Sequence, residues 1–185
     1  MGILRLTGGH ARGRPLSPAV PPGVRPTTAR VREALFSMVG QHLAGVRWLD
    51  AFAGAGVVGL EAWSRGAQVV AVERDPRVAA NLARRGRALG AQWQVYTRDV
   101  MRFAAQLDPF QVVFVDPPYD KPIEPVLTAL APCTTDWLVA EVRANQNPPK
   151  QVGACQLVRE RCYGQSALWL YRVIMGERVN QGEIA

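Results

Sequence analysis

Between Trp48 and Glu61 the chain passes from an apolar run that ends in an acid, through a loop with glycines at 54 and 56, into a second apolar run beginning at Val57. This order predicts a buried strand, a tight turn and a helix in immediate succession. Residues without a Cβ let the backbone turn at positive φ and approach a ligand closely, and the helix amides just beyond them face the same ligand. The unit confines the chain to folds that alternate strand and helix. It leaves the ligand open, because Gly54, Gly56 and Gly59 also satisfy the dinucleotide fingerprint, with Glu73 about where a ribose-binding acid belongs.

The rest of the chain repeats the alternation. Strand patterns cover 48–52, 68–73, 92–97, 112–116 and 137–142, and helix patterns cover 57–65, 76–89, 100–107 and 123–130. A parallel sheet covered by helices on both faces follows. Asp75-Pro76 starts a helix well, since Asp caps free amides and Pro at the first helical position has no amide to leave unpaired. Strand patterns over 155–162 and 167–173, separated by Gly164, predict a closing antiparallel hairpin. Upstream, Thr27 or Thr28 caps a helix whose buried stripe is Val31, Leu35, Met38, Val39 and Leu43, with Arg30 and Arg32 largely outside it.

A second stretch bears on chemistry. The apolar run Val112 to Val115 leads into Asp116-Pro117-Pro118-Tyr119. A nicotinamide dehydrogenase has no use for this tetrapeptide at the end of its fourth strand, whereas an enzyme that methylates exocyclic amines does. The lone pair of such an amine is delocalised into its ring, and acceptors aimed at its hydrogens favour the pyramidal form that frees it. The Asp116 carboxylate and Pro117 carbonyl suit that role, the two prolines fix the backbone, and Tyr119 offers a stacking surface for a base swung out of its stack. Asp50, Glu73, Asp99 and Asp116 all stand at or just beyond strand ends, where ligands of doubly wound sheets collect. For S-adenosylmethionine as ligand, Glu73 would accept from the ribose hydroxyls and Asp99 from the adenine amine. Asp50 would lie near the methionine ammonium, and the loop carrying Phe52, Ala53, Gly54 and Gly56 would pass under the nucleoside. For Asp99 a plain helix cap is an equal reading.

Charge is unevenly placed. Six arginines and no acid precede Glu33, and they supply almost all of the net charge of +7. An excess confined to one end points to an arm that meets a polyanion. Gly8-Gly9-His10-Ala11-Arg12-Gly13-Arg14 reads as a flexible basic turn after a short strand over 3–7, and five prolines between Pro15 and Pro26 predict an extended connector that holds the arm away from the core. The expected division is a basic extension over 1–26, a catalytic domain over 27–174 and a frayed tail over 175–185. Arg12 and Arg14 are the first candidates for phosphate contact, followed by Arg25, Arg30 and Arg32. Cys133, Cys155, Cys162, His10 and His42 show no metal-ligand spacing, so free thiols, a reducing cytoplasm and no metal are expected. No run is long enough to cross a membrane, and a monomer is expected.

Together these residues resemble the bacterial small-subunit (16S) rRNA guanine-N2 methyltransferases of the RsmD family. The likeness runs through Gly8-Gly9, Arg12-Gly13-Arg14, Arg25-Pro26-Thr27-Thr28, Val31 to Phe36, Asp50 to Gly56, Gly59 to Ala62, Arg65 to Ala67, Glu73 and Val115 to Tyr119. It implies a Rossmann-like fold, S-adenosylmethionine as methyl donor, one guanine of 16S rRNA as acceptor during small-subunit assembly, and Thr27 and Thr28 within the RNA-binding set. Ala29 departs from the family, which usually has Asp there. The alternatives are an adenine-N6 methyltransferase of DNA or RNA, a nicotinamide-dependent oxidoreductase, and a ribosome-assembly module without activity.

Overall fold

The computed structural model describes residues 4–16, 27–118 and 122–174. Five parallel strands form the first part of one sheet: β1 (Arg47–Asp50), β2 (Gln68–Glu73), β3 (Gln94–Thr97), β4 (Phe110–Val115) and β5 (Thr134–Arg143). Three antiparallel strands complete it: β6 (Gln151–Val152), β7 (Cys155–Tyr163) and β8 (Ser166–Val173). The order is β3-β2-β1-β4-β5-β8-β7-β6, so the direction of winding reverses between β1 and β4. That reversal opens a crevice at the carboxyl ends of the two strands. The closing hairpin turns at Gly164, and β6 is a further edge strand that two residues of pattern could not announce.

Side chains alternate between the sheet's faces. Leu49, Val113, Val115, Leu138 and Ala140 pack against Val126, Leu127 and Leu130 of a helix over Ile123–Leu130. On the other face Trp48, Val112, Phe114 and Val139 meet α1 (Ala29–Val39) through Val31, Leu35 and Phe36, and α2 (Val57–Ser64) through Val58 and Ala62. Helix α1 is capped by Thr28, whose hydroxyl accepts from the Val31 amide, a contact worth about 1 kcal/mol. Its first turn holds no acid, Ala29 being the first helical residue, and it stops at Gly40, so Leu43 packs from beyond the helix. The helix α3 (Pro76–Leu89) is capped by Asp75, which accepts from Arg77 and Val78. The helix expected over 100–107 is a single α-turn, α4 (Val100–Phe103), continued as a 3-10 turn.

The N-terminal residues correct the expectation of an arm held apart. Residues 4–16 fold back on themselves, with a bridge between Arg5 and Pro15, and dock on the carboxyl end of α2. Leu6, Ala11 and Leu16 are buried against Leu60, Leu89 and Ala91, at about 2 kcal/mol for each leucine. Gly9 has φ +74°, and a Cβ there would sit 1.8 Å from the Ser64 carbonyl oxygen. The Ser64 hydroxyl donates to the Gly8 carbonyl at 2.6 Å, and the Ser64 carbonyl accepts from the His10 amide at 2.7 Å. The glycine pair is therefore a close-approach surface rather than a flexible joint. Apolar residues five apart have neither strand nor helix period, which is why the docking left no pattern in the sequence. The proline-rich connector over 17–26 and the tail over 175–185 lie outside the described residues.

Candidate active site

The strand ends around the β1/β4 crevice enclose a cavity of about 420 Å³. Its floor is the loop that leaves β1: Gly54 and Gly56 adopt φ 49° and 70°, and the Gly56 amide closes the turn on the Ala53 carbonyl at 2.6 Å. Glu73, at the end of β2, fastens this loop, one carboxylate oxygen accepting from the Gly54 amide at 3.0 Å and the other from the Asp75 amide at 2.9 Å. From below, the buried Arg85 of α3 donates to the Ala55 carbonyl. No local pattern marks Arg85, which looks in the sequence like one more charge in an arginine-rich helix.

Asp50 ends β1, is 2% exposed and accepts from the Gly59 amide at 3.0 Å. Gly59 is required for that contact, since a Cβ there would press on the carboxylate and on Trp93. Burial pushes the Asp50 carboxyl up to about 7; the Gly59 hydrogen bond opposes the shift and the charge of Glu73 adds to it. Asp99 lines the cavity and caps α4 by accepting from the Met101 amide at 2.9 Å, so the helix-cap reading describes a bond it makes. Asp116 is half-buried beyond β4, Pro117 is buried and Pro118 exposed, and all three line the cavity. Tyr119 lies outside the described residues.

Phe52, Ala53 and Gly54 line the same cavity, and Gly56 does not. A Cβ on Gly56 would meet Leu82 at 1.9 Å and Trp93 at 2.9 Å, so this glycine is demanded by the protein's own interior rather than by close approach of a ligand. Thr27 and Thr28 form part of the wall. Thr27 donates its hydroxyl to Glu141 at 2.7 Å. Glu141, near the end of β5, is a cavity residue that the sequence reading missed; an acid inside the apolar run from Trp137 to Val142 was its available signal.

The basic candidates separate. Arg12 and Arg30 are exposed. Arg14 is exposed but donates to the carbonyls of Leu89 and Ala88 at the end of α3, as basic groups at a helix carboxyl terminus do. Arg32 corrects the expectation of a phosphate contact: it is 1% exposed and paired with Glu61 at 2.9 Å, and it donates to the carbonyls of Thr27 and Arg5. Glu61 also accepts from Arg65 at 2.6 Å and from the Thr7 amide at 2.8 Å. Arg25 lies outside the described residues. His10 and His42, remote in sequence, line a second groove with Arg12 and Gln41. Among the described residues no helix is long and apolar enough to cross a membrane.

A family model described as "Conserved hypothetical protein 95" matches residues 4–172. The chain is 36% identical over 192 aligned residues to the "Ribosomal RNA small subunit methyltransferase D" of Escherichia coli (strain K12), covering 98% of this chain and 93% of that protein. The solved structure of the Escherichia coli protein yhhF superposes with a TM-score of 0.81 at 36% identity, over 93% of this chain and 98% of that one. The magnesium protoporphyrin IX methyltransferase of Synechocystis PCC 6803, solved with bound SAM, shares the fold at 14% identity, with a TM-score of 0.63 over 78% of this chain and 79% of that one.

Proposed function

The chain belongs to the RsmD family of small-subunit ribosomal RNA methyltransferases, and from that membership we propose that it transfers a methyl group from S-adenosylmethionine to the exocyclic N2 amine of one guanine in 16S rRNA during small-subunit assembly in the cytoplasm. The observation that carries the reading is the convergence of Asp50, Glu73, Asp99 and Asp116 on one cavity at the sheet's switch point. The nicotinamide alternative falls with the family.

The donor set suits this cofactor: a buried acid lies beside a loop fastened by a second acid, and the methyl donor carries both an ammonium and a sulfonium. When bound, S-adenosylmethionine supplies an electrophilic methyl group and needs no metal. Asp50 would face the ammonium, Glu73 would offer the ribose hydroxyls lone pairs beyond those given to Gly54 and Asp75, and Asp99 would face the adenine amine. Asp116 and the Pro117 carbonyl would accept the two N2 hydrogens of guanine and so fix the direction of the amine lone pair, and Asp116 would take the proton the methylated amine sheds. Tyr119 stacks on the extruded base, while Arg12 and Arg30 hold phosphates outside the cavity. Labelled methyl transfer to small subunits from a strain lacking the enzyme, followed by nucleoside analysis, tests the reading. N2-methylguanosine is the expected product, and label in N6-methyladenosine would refute it.

A further inference from the structure

Strands β1, β4 and β5 are neighbours, and their carboxyl ends place three acids on one face of the sheet. Asp50 has the parity of Trp48, and Asp116 that of Phe114. Glu141 has the parity of Val139 and pairs across the sheet with Leu168; Trp48, Phe114, Val139 and Leu168 all belong to the core under α1 and α2. Val115 is in register with Ala140, the last pair of the β4–β5 ladder, so Asp116, just beyond β4, and Glu141, within β5, each follow that pair directly, and both line the cavity. Glu141 is 5% exposed and still lines the cavity. The Thr27 hydroxyl engages its Oε2 at 2.7 Å, one contact of a carboxylate that offers about four lone-pair positions.

We propose that Glu141 is the residue that distinguishes guanine from other purines, by accepting a hydrogen bond from N1–H of the target base. The assignment rests on the guanine-N2 reading above. On guanine the N1–H lies directly beside the N2 amine, so an amine whose two hydrogens point at Asp116 and Pro117 brings N1–H to the acceptor on the adjoining strand. Adenine and 2-aminopurine have a lone pair at N1, and a carboxylate facing it would be left unpaired and repelled. Sites built around a hydrogen bond reject analogues that lack the donor far more strongly than apolar pockets reject a change of size. Thr27, fixed at the start of α1 by the bond from Arg32 to its carbonyl, orients the Glu141 carboxylate and acts as a positioning residue.

The test compares reconstituted small subunits carrying either guanosine or 2-aminopurine riboside at the methylated position. Wild-type protein should prefer guanosine by about 100-fold or more in kcat/KM. Glu141→Gln keeps an acceptor for Thr27 and offers an amide N–H to the N1 lone pair of 2-aminopurine; it should lose about 100-fold on guanosine and bring the preference to within about tenfold. Thr27→Val leaves Glu141 in place but removes the hydroxyl that orients it, so it should lower activity on guanosine more than on 2-aminopurine and narrow the preference part of the way. Calorimetry with S-adenosylhomocysteine should give Glu141→Gln an affinity within about twofold of wild type, which excludes a collapsed site. An unchanged preference in Glu141→Gln, or an equal loss on both substrates, would overturn the assignment. Failure of the wild-type protein to methylate guanosine-containing subunits is a separate result, and it would overturn the guanine-N2 reading itself.

Discussion

Asp50 carries the clearest pH dependence of any single residue. Its folded value of about 7 lies above the ordinary 3.8, so between these values the native protein holds a proton that the unfolded chain releases. Stability therefore falls as pH rises from about 4 to about 7, by on the order of 4 kcal/mol in all, and the full cost is in place above that window. An ammonium beside the carboxylate reverses the balance by favouring the ionised form. The affinity for S-adenosylhomocysteine, which keeps the ammonium, should rise with pH up to about 7, with release of close to one proton per molecule bound. Calorimetry from about pH 5 to 7 in buffers of different ionisation heat measures both; a flat profile would place the ammonium elsewhere. Asp116 belongs to the acceptor side, so Asp116→Ala should leave that affinity within about twofold while turnover falls on the order of 100-fold. Full turnover would remove Asp116 from the chemistry.

At the scale of elements, the buried Arg32–Glu61–Arg65 group joins the N-terminal turn, α1 and α2. Arg32 alone contacts Glu61, the Thr27 carbonyl and the Arg5 carbonyl. Breaking a buried ion pair from one side leaves an uncompensated charge, at about 3–5 kcal/mol. Arg32→Met should cost about that much in urea denaturation, and it should loosen Thr27 at the cavity wall. A loss under about 1 kcal/mol would mean that Arg65 suffices to neutralise Glu61. Arg32→Lys should recover only part of the stability, because an ammonium cannot serve three acceptors with the fixed fork of a guanidinium. The apolar stripe of α1 is legible in the sequence, whereas the burial of Arg32 is not. A helical stripe identifies apolar residues that face the core, and it is silent about a charged residue whose partner is remote in the chain.

For the whole molecule, electrostatics divides the labour between a nearly neutral body and the arginines that precede Glu33. With Arg32 buried and Arg14 bonded to the end of α3, the exposed Arg12 and Arg30 carry the expected phosphate contacts. The double change Arg12→Ala, Arg30→Ala should flatten the slope of log RNA affinity against log salt by about 1.4, at roughly 0.7 for each single-strand phosphate, without altering cofactor affinity. A salt series on both proteins checks this, and an unchanged slope would move recognition to other surfaces such as the groove between His10 and His42. The parallel sheet, the glycine loop, the capped α3 and the acids at strand ends were legible in the sequence because each is written locally, as a period, a turn residue or a cap, within a dozen residues. Tertiary structure alone decided that the basic turn docks on α2, that Gly56 makes room for Leu82 and Trp93, that Arg85 supports the loop through Ala55, and that Glu141 and Asp116 line one cavity. Those contacts join residues about 25 or more apart in the chain, and no periodicity records a partner that only folding brings near.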